Sequence, residues 1–320
     1  MKTQNELQSD MNDLNDMTEA RASHVSAMTS PTPWRDRLLL NEDLNFLLTN
    51  RLPRIATTRL MGRFSRIRSP LLTRLSMAVW RLFTDLDLSD AKLRHFDSLH
   101  ACFTRELQAG ARTVDPRPEM LASPCDAIVG ATGPVQQGQV FQAKGFAYRA
   151  EDLFGSIDAA APFEGGRYLT LRLTSAMYHR FHAPHDAHIT HVRHIAGDTW
   201  NVNPIALKRV ERLFCRNERA VISLQLGDGT PVALVPVAAI LVASLRLHAP
   251  ALHLHTAYTG ADEIDCDVAV AKGQELGWFE HGSTIIVFVP AGFDLAPGIG
   301  TGQHIRMGQA LLRRAPCASP

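Results

Sequence analysis

The stretch Thr284-Ile285-Ile286-Val287-Phe288-Val289 contains only β-branched and aromatic residues, and it follows directly on Gly282 and Ser283. These residue types favour a strand. Similar short apolar runs, separated by glycine and proline, extend from about Leu121 towards the C-terminus. Besides Thr284–Val289, the predicted strands are Ala127–Ala131, Val135–Val140, Tyr168–Leu173, Ile189–Ile195, Ala220–Leu226, Val232–Leu247, Val268–Ala271 and Gly308–Leu311. The sequence therefore predicts an α+β protein whose larger domain, 108–320, is mostly β with sandwich- or barrel-like sheets.

A helical region is predicted ahead of these strands, in residues 37–107, and further helices at Ala147–Phe154 and Pro204–Leu213. Within this region, Leu44–Thr84 contains eight arginines and no acidic residue. Arginine interleaved with bulky apolar residues at helical spacing is typical of a helix that lies in a bilayer interface, where each arginine adds about 1 kcal/mol. We therefore expect contact with an anionic membrane surface. An ordinary amphipathic helix packed on its own domain is the alternative. The arginines are Arg51, Arg54, Arg59, Arg63, Arg66, Arg68, Arg74 and Arg81.

The composition is that of an ordinary globular protein. The chain has 320 residues and a net charge of +1, so no nucleic-acid partner is expected. Five cysteines lie at long, irregular spacings without a CxxC pair, which favours the reduced thiols of a cytosolic protein. Residues 1–36 are polar and lack an apolar central run, so they predict a disordered tail rather than a signal peptide.

A membrane-spanning helix is not expected. No stretch reaches the roughly 18–20 apolar residues that a spanning helix needs. The uncharged run Gly229–Ser244 contains Pro231 and Pro236 and therefore favours strands. The protein is predicted to be soluble or to lie on a membrane surface.

Ser283 is the first candidate for chemistry. Gly282 leaves the preceding carbonyl open to attack and tolerates strained torsions, and Ser283 supplies a hydroxyl nucleophile that needs a neighbouring base. A Gly-Ser-Thr sequence before a strand is more commonly a plain turn, so the motif alone predicts little.

A histidine-rich segment is the second candidate. Tyr178-His179-Arg180-Phe181-His182-Ala183-Pro184 begins a series of six histidines spaced three residues apart, which continues at His185, His188, His191 and His194. A metal site is disfavoured because Pro184 stops a helix and a spacing of three alternates faces on a strand. His179 and His182 are predicted to be functional because they share a compact polar cluster.

Asp126, just ahead of the predicted strand Ala127–Ala131, is the third candidate. An aspartate there is often a turn residue. It is also where a carboxylate can orient a histidine, as in serine-nucleophile triads.

Several further motifs follow one another in fixed order. They are Phe103-Thr104-Arg105-Glu106-Leu107 with Arg112 and Asp115-Pro116, Gln142-Ala143-Lys144-Gly145 with Tyr148, Tyr178–Pro184, Asn203-Pro204, Leu213–Arg219, and Lys272–Phe279 leading into Gly282-Ser283-Thr284. Together these motifs resemble the phosphatidylserine decarboxylase family, over roughly residues 45–315. One departure is His281, where the family often has leucine or glycine before Gly-Ser-Thr.

The resemblance implies a self-cleaving proenzyme. Asp126, His182 and Ser283 would form the processing triad, in which His182 takes the hydroxyl proton and Asp126 holds the imidazole tautomer. An N-to-O shift at Gly282, β-elimination and hydrolysis would leave a β chain, 1–282, and an α chain, 283–320, whose first residue is a covalent pyruvoyl cofactor. That ketone would form a Schiff base with phosphatidylserine and accept the electrons left by carbon dioxide, giving phosphatidylethanolamine. His179 would act as acid or base in decarboxylation.

The resemblance also implies partners and location. The two chains would remain associated, a homodimer is left open, and no metal is expected. The enzyme would lie on the cytoplasmic face of the inner membrane as a peripheral protein. The alternatives are a pyruvoyl decarboxylase of another serine-headgroup substrate, an uncleaved lipid-binding relative, and a histidine-ligated metal hydrolase.

Overall fold

The computed structural model describes residues 53–143, 146–240, 244–255, 257–280 and 284–315. These residues all belong to one compact unit, Phe46–Pro320. The predicted tail, 1–36, and the predicted cleavage site, Gly282 and Ser283, lie outside the described residues, as does His281.

Short helices precede and interrupt the strands. Ser69 begins the second helix by accepting a hydrogen bond from the backbone N–H of Leu72, and Pro70 occupies the first turn, where its missing N–H costs nothing. The helices are α1 (Arg54–Ser65), α2 (Pro70–Phe83), α3 (Leu99–Phe103), α4 (Ala150–Phe154), α5 (Ile157–Ala160), α6 (Pro204–Leu207) and α7 (Leu213–Arg216).

Strands dominate the chain after residue 119. The strands are β1 (Met120–Ala122), β2 (Ala127–Pro134), β3 (Gln139–Ala143), β4 (Phe146–Arg149), β5 (Arg167–Arg172), β6 (Arg180–His182), β7 (Ala187–Ile195), β8 (Arg219–Leu226), β9 (Pro231–Val237), β10 (Ser244–Leu247), β11 (Leu252–His255), β12 (Glu263–Val270), β13 (Glu275–Phe279), β14 (Thr284–Val289), β15 (Phe293–Leu295), β16 (His304–Ile305) and β17 (Ala310–Arg314).

The largest sheet has eight antiparallel strands in the order β12-β7-β8-β9-β14-β5-β2-β16. A four-stranded sheet has the order β11-β10-β13-β6, a three-stranded sheet β1-β17-β15, and β3 pairs with β4. The prediction of a mostly β domain after an N-terminal helical region is confirmed. The described sheets are open rather than closed into a barrel, because β12 and β16 are the two edges of the largest one.

Strand β14 carries the centre of this arrangement. All six of its residues are buried, and it pairs with β9 on one side and β5 on the other. Ile285 and Val287 enter one hydrophobic cluster, whereas Ile286 and Phe288 enter a second cluster on the opposite face of the sheet. A strand covered on both faces needs apolar side chains at every position, which explains its sequence.

Three predicted elements are divided in the structure. Residues 135–138 form a turn rather than a strand, with positive φ at Gln137 and Gly138, so β3 begins later than expected. The predicted helix Ala147–Phe154 is half strand, since β4 pairs with β3 before α4 begins. Val232–Leu247 contains β9 and β10, which belong to different sheets.

The buried residues of helices α1 and α2 are polar, whereas several of their large apolar side chains are exposed. Their buried residues are Thr58, Ser65 and Thr73. In contrast, Leu71 and Leu75 of α2 are 80% and 62% exposed. This is the reverse of the usual pattern for a helix packed on its own domain. Within the described ranges, no helix combines the length and apolarity needed to cross a bilayer.

Candidate active site

The predicted cleavage site joins two sheets. The four-stranded sheet contributes β13, which ends at Phe279, and the eight-stranded sheet contributes β14, which begins at Thr284. Glu280 and Thr284, the described residues on either flank, are both buried. The link from one sheet to the other therefore starts and ends inside the protein.

Strand β6 brings His179 and His182 alongside the strand that leads to this link. His182 lies opposite Glu275 in the antiparallel pair β6–β13. The backbone N–H of Phe279 donates to the carbonyl of His179 at 3.0 Å. In register, His179 is therefore beside the end of β13 that leads to residue 281, and His182 is beside the other end.

Backbone geometry determines the tautomer of His182. Its Nδ1 lies 2.9 Å from the carbonyl oxygen of Gly273, which can only accept, so Nδ1 carries the proton. Nε2 is then a lone pair and accepts from the Tyr178 hydroxyl at 3.1 Å. Burial lowers the pKa of His182, so the ring is neutral at pH 7. The arrangement supplies a base.

His179 is completely buried. Burial, together with the positive charge of Arg105, lowers its pKa to about 3, and backbone interactions with Phe103 and Thr174 offset only part of this. Neither ring nitrogen has a hydrogen-bond partner of good geometry among the described residues. At neutral pH His179 therefore offers one N–H and one lone pair, each available to a group brought beside it.

Asp126 is held by an arginine and a backbone amide. Arg112 donates from Nε to Oδ1 at 2.9 Å and from Nη2 to Oδ2 at 2.5 Å, and the Met307 N–H donates to Oδ1 at 2.9 Å. The hydrogen bond to Asp126 raises the pKa of Arg112. Among the described residues Asp126 makes no hydrogen bond to His182, and the tautomer control predicted for Asp126 is exerted here by Gly273.

Tyr178 lies between the aspartate and the histidine. Asp126, Arg112 and Tyr178 line a cavity of about 550 Å³. Arg112, Tyr178 and His182 line a second cavity of about 380 Å³. The structure therefore brings Asp126 and His182 into one region, with the Tyr178 hydroxyl on the histidine.

Sequence reasoning missed the roles of Arg112, Tyr178 and Gly273. All three were noted only as parts of longer motifs. A backbone carbonyl carries no signal of its own in a sequence, and the partner of Arg112 is decided by how β2 packs.

The remaining histidines of the series serve other contacts. A β-bulge between Ile189 and His191 leaves His188 exposed and His191 half-buried, while His194 is buried. Within the described part of the chain, no group of three His, Cys, Asp or Glu side chains is placed to hold a metal ion. The pairs are His188 with Asp267, His191 with Asp265 and Glu263, and His194 with Glu218 and Asp262.

Comparison with known proteins gives one consistent family. The model of the family described as phosphatidylserine decarboxylase matches residues 99–313. A phosphatidylserine decarboxylase proenzyme of Xylella fastidiosa is 33% identical over 285 residues, covering 85% of this chain and 95% of that protein. The proenzyme of Anaeromyxobacter is 36% identical over 281 residues, covering 85% and 99%. That of Xanthomonas oryzae is 36% identical over 236 residues, covering 72% and 83%.

Proposed function

This chain belongs to the phosphatidylserine decarboxylase family, and we propose that it is a self-cleaving carboxy-lyase that converts phosphatidylserine to phosphatidylethanolamine. The observation that carries the proposal is a pair of buried, neutral histidines, His182 on β6 and His179 just before it, beside the strand that leads into Gly282-Ser283. A base without charge is what activation of a serine hydroxyl requires.

Self-cleavage begins at the hydroxyl of Ser283. Its oxygen attacks the carbonyl carbon of Gly282, the peptide C–N bond breaks, and an ester takes its place. The hydroxyl proton passes to Nε2 of His182 and is then returned to the departing nitrogen of residue 283, which leaves as an amine. The Tyr178 hydroxyl can relay this proton, because a phenol both donates and accepts. β-Elimination then separates the chains 1–282 and 283–320.

The two chains stay together because their strands are interleaved. The α chain would contain β14, β16 and β17, which pair with β5 and β9, β2, and β1 of the β chain. Breaking the peptide bond before residue 283 leaves these backbone hydrogen bonds in place. The new first residue is therefore bonded to Thr284, the first residue of a buried central strand.

Residue 283 suits a pyruvoyl cofactor. When it carries that group, its ketone supplies the electron sink for loss of carbon dioxide. The buried hydroxyl of the next residue, Thr284, has no hydrogen-bond partner among the described residues. It is therefore available to donate a hydrogen bond to a polar group at residue 283. His179 is the proposed acid or base of decarboxylation: the lone pair of its neutral ring can take up a proton and pass it to the product carbon.

The outward apolar face of α2 supports a peripheral membrane position. Leu71, Leu75 and Leu82 point away from the protein, and burial of each side chain in lipid contributes about 1.5–3 kcal/mol. Arg74 and Arg81 on the same helix are exposed and suit anionic headgroups. This apolar and basic surface of α2 suits a position on the cytoplasmic face of the inner membrane, because the substrate lipid is anionic.

Helix α2 also connects to the active site. Trp80 packs on Phe103 with ring centroids 4.5 Å apart, and the edge of Phe103 meets His179 at 6.0 Å. The aromatic rings of Trp80 and Phe103 thus connect the proposed membrane-facing helix to His179, a proposed catalytic residue.

Denaturing mass analysis and a carbon dioxide assay test the proposal. The purified protein should contain two chains that separate between 282 and 283, and Ser283→Ala should give a single inactive chain. Carbon dioxide should be released from phosphatidylserine but not from free serine. One intact chain of 35.3 kDa in the wild type would favour a non-catalytic lipid-binding relative.

A further inference from the structure

A large cavity opens beside the first residue of β14. Its volume is about 1130 Å³, slightly above the roughly 300–1,000 Å³ usual for small-molecule sites. Strands β2 and β5 form its floor, and β3 and α6 contribute walls. Its described lining includes Arg172 and Lys208 and no carboxylate.

Arg172 is an uncompensated cation in this cavity. It lies at the end of β5, opposite Thr284 of β14 and Ile128 of β2. The side chain is half-buried, and burial lowers its pKa with no acidic group raising it. Arg172 makes no ion pair or hydrogen bond within the described ranges, although a buried cation normally has a partner.

Two buried hydroxyls lie on the same face of the sheet as Arg172. Thr170 lies two residues before Arg172 on β5, and Thr284 is the cross-strand partner of Arg172. The side chains of all three residues therefore point to the same side of the sheet. Both threonines line the cavity, and neither hydroxyl has a partner among the described residues. Unused buried donors beside an unpaired guanidinium make an anion site.

We propose that Arg172, Thr170 and Thr284 bind the phosphodiester of the substrate headgroup. The inference rests on the proposed function. In a serine phospholipid, two carbons and one oxygen separate the amine from the phosphorus. The amine must reach residue 283, which is bonded to Thr284, and Arg172 lies opposite Thr284. A phosphodiester bound by Arg172 and Thr284 would therefore place the substrate amine close to the pyruvoyl carbonyl of the adjacent residue 283.

The test compares Arg172→Met, Thr170→Val and the control Arg167→Met. Arg167 lies at the other end of β5 and pairs with Asp294 on the surface. Arg172→Met should still cleave itself, raise KM for phosphatidylserine by about 30-fold and change kcat little, because a charge-assisted contact is lost. Thr170→Val should raise KM about fivefold. The control should match the wild type.

Direct binding separates this inference from the proposed function. Calorimetry of the wild type with glycerophosphoserine and with inorganic phosphate should give binding that Arg172→Met abolishes and Arg172→Lys partly restores. Tighter binding of glycerophosphoserine identifies a lipid headgroup, and equal binding identifies a general phosphate site. Loss of phosphate binding in Arg172→Met supports the anion site even if the wild type does not cleave. Unchanged KM and unchanged binding in Arg172→Met and Thr170→Val would overturn it.

Discussion

Arg66 Nη2 lies 2.5 Å from Glu280 Oε2, so an ion pair joins the residue after α1 to the last described residue before the cleavage site. Glu280 is buried, and Arg246 approaches its other oxygen at 3.5 Å. Burial raises the pKa of Glu280, but the charges of Arg66 and His100 outweigh this and hold it below its usual value. The chain just after β13 is thus anchored electrostatically to the helical N-terminal region.

Arg66→Met should slow self-cleavage several-fold. The buried carboxylate of Glu280 would lose its closest partner, at a cost of about 1–2 kcal/mol for a half-exposed arginine. Cleavage is measured as the rate at which two chains form in freshly synthesised protein. The control is Arg68→Met, because Arg68 is 84% exposed and pairs with surface Asp97 at 3.5 Å. Wild-type kinetics in Arg66→Met would contradict the anchoring role.

His179 and His182 should separate into two roles. His182→Ala should leave an uncut chain, because the lone pair on Nε2 is lost. His179→Ala should cut yet release carbon dioxide at least 100-fold more slowly, the contribution usual for a general acid or base. Gel analysis and a carbon dioxide assay on the same samples check this. If His179→Ala blocks cleavage and His182→Ala does not, the two roles are reversed, an outcome that the register of His179 with the end of β13 makes worth testing.

Asp126→Asn and Arg112→Met distinguish a structural from a chemical role of Asp126. Either change breaks a buried ion pair and should cost about 3–5 kcal/mol of stability. If Asp126 also assists His182, Asp126→Asn should slow cleavage well beyond Arg112→Met. Melting temperatures and cleavage rates of both variants give the comparison. Equal cleavage rates at equal stability would assign Asp126 to structure alone.

Replacing Leu71, Leu75 and Leu82 by serine should release the protein from anionic vesicles. The variant loses the exposed apolar face of α2 while Arg74 and Arg81 remain. Flotation with phosphatidylglycerol vesicles measures binding. Ile157→Ser is the matched control, because Ile157 is equally exposed but lies on α5. Persistent binding of the triple variant would assign membrane contact to another surface.

The protein should lose stability as pH falls below 6.5, and His179 should account for part of this. Its folded pKa is about 3, against an ordinary value of 6.5, so between these values the unfolded chain binds a proton that the folded chain does not. Each pH unit in that window costs up to about 1.4 kcal/mol. The pKa of His182 is also lowered, so His182 contributes to the same loss of stability at low pH. Glu218 raises the pKa of His194, so His194 has the opposite effect.

The measurement uses Ser283→Ala, which keeps one chain, with and without His179→Leu. Melting temperature should fall less steeply from pH 7 to pH 5 when His179 is absent. Parallel curves for the two proteins would show that the buried ring does not titrate on unfolding.

Local sequence was sufficient for the elements that depend on local residue types. Six β-branched or aromatic residues predicted β14 with its observed bounds, and arginine among apolar residues predicted helices in 37–107. The prediction was wrong for elements whose secondary structure depends on a neighbouring strand. Residues 147–149 form a strand only because β3 lies beside them.

The order of the motifs, with Ser283 before a strong strand, was enough to assign the family, because residue types and spacing survive in a sequence without knowledge of contacts. Only the tertiary structure determined which side chains and backbone groups contact one another at the site. The carbonyl of Gly273 sets the tautomer of His182, and Arg112 donates hydrogen bonds to Asp126. Arg172 faces a cavity whose described lining contains no carboxylate. These contacts join residues far apart in the chain, and one of them uses a backbone atom that every residue possesses. No local pattern can specify such a contact, so it is decided only when the sheets pack.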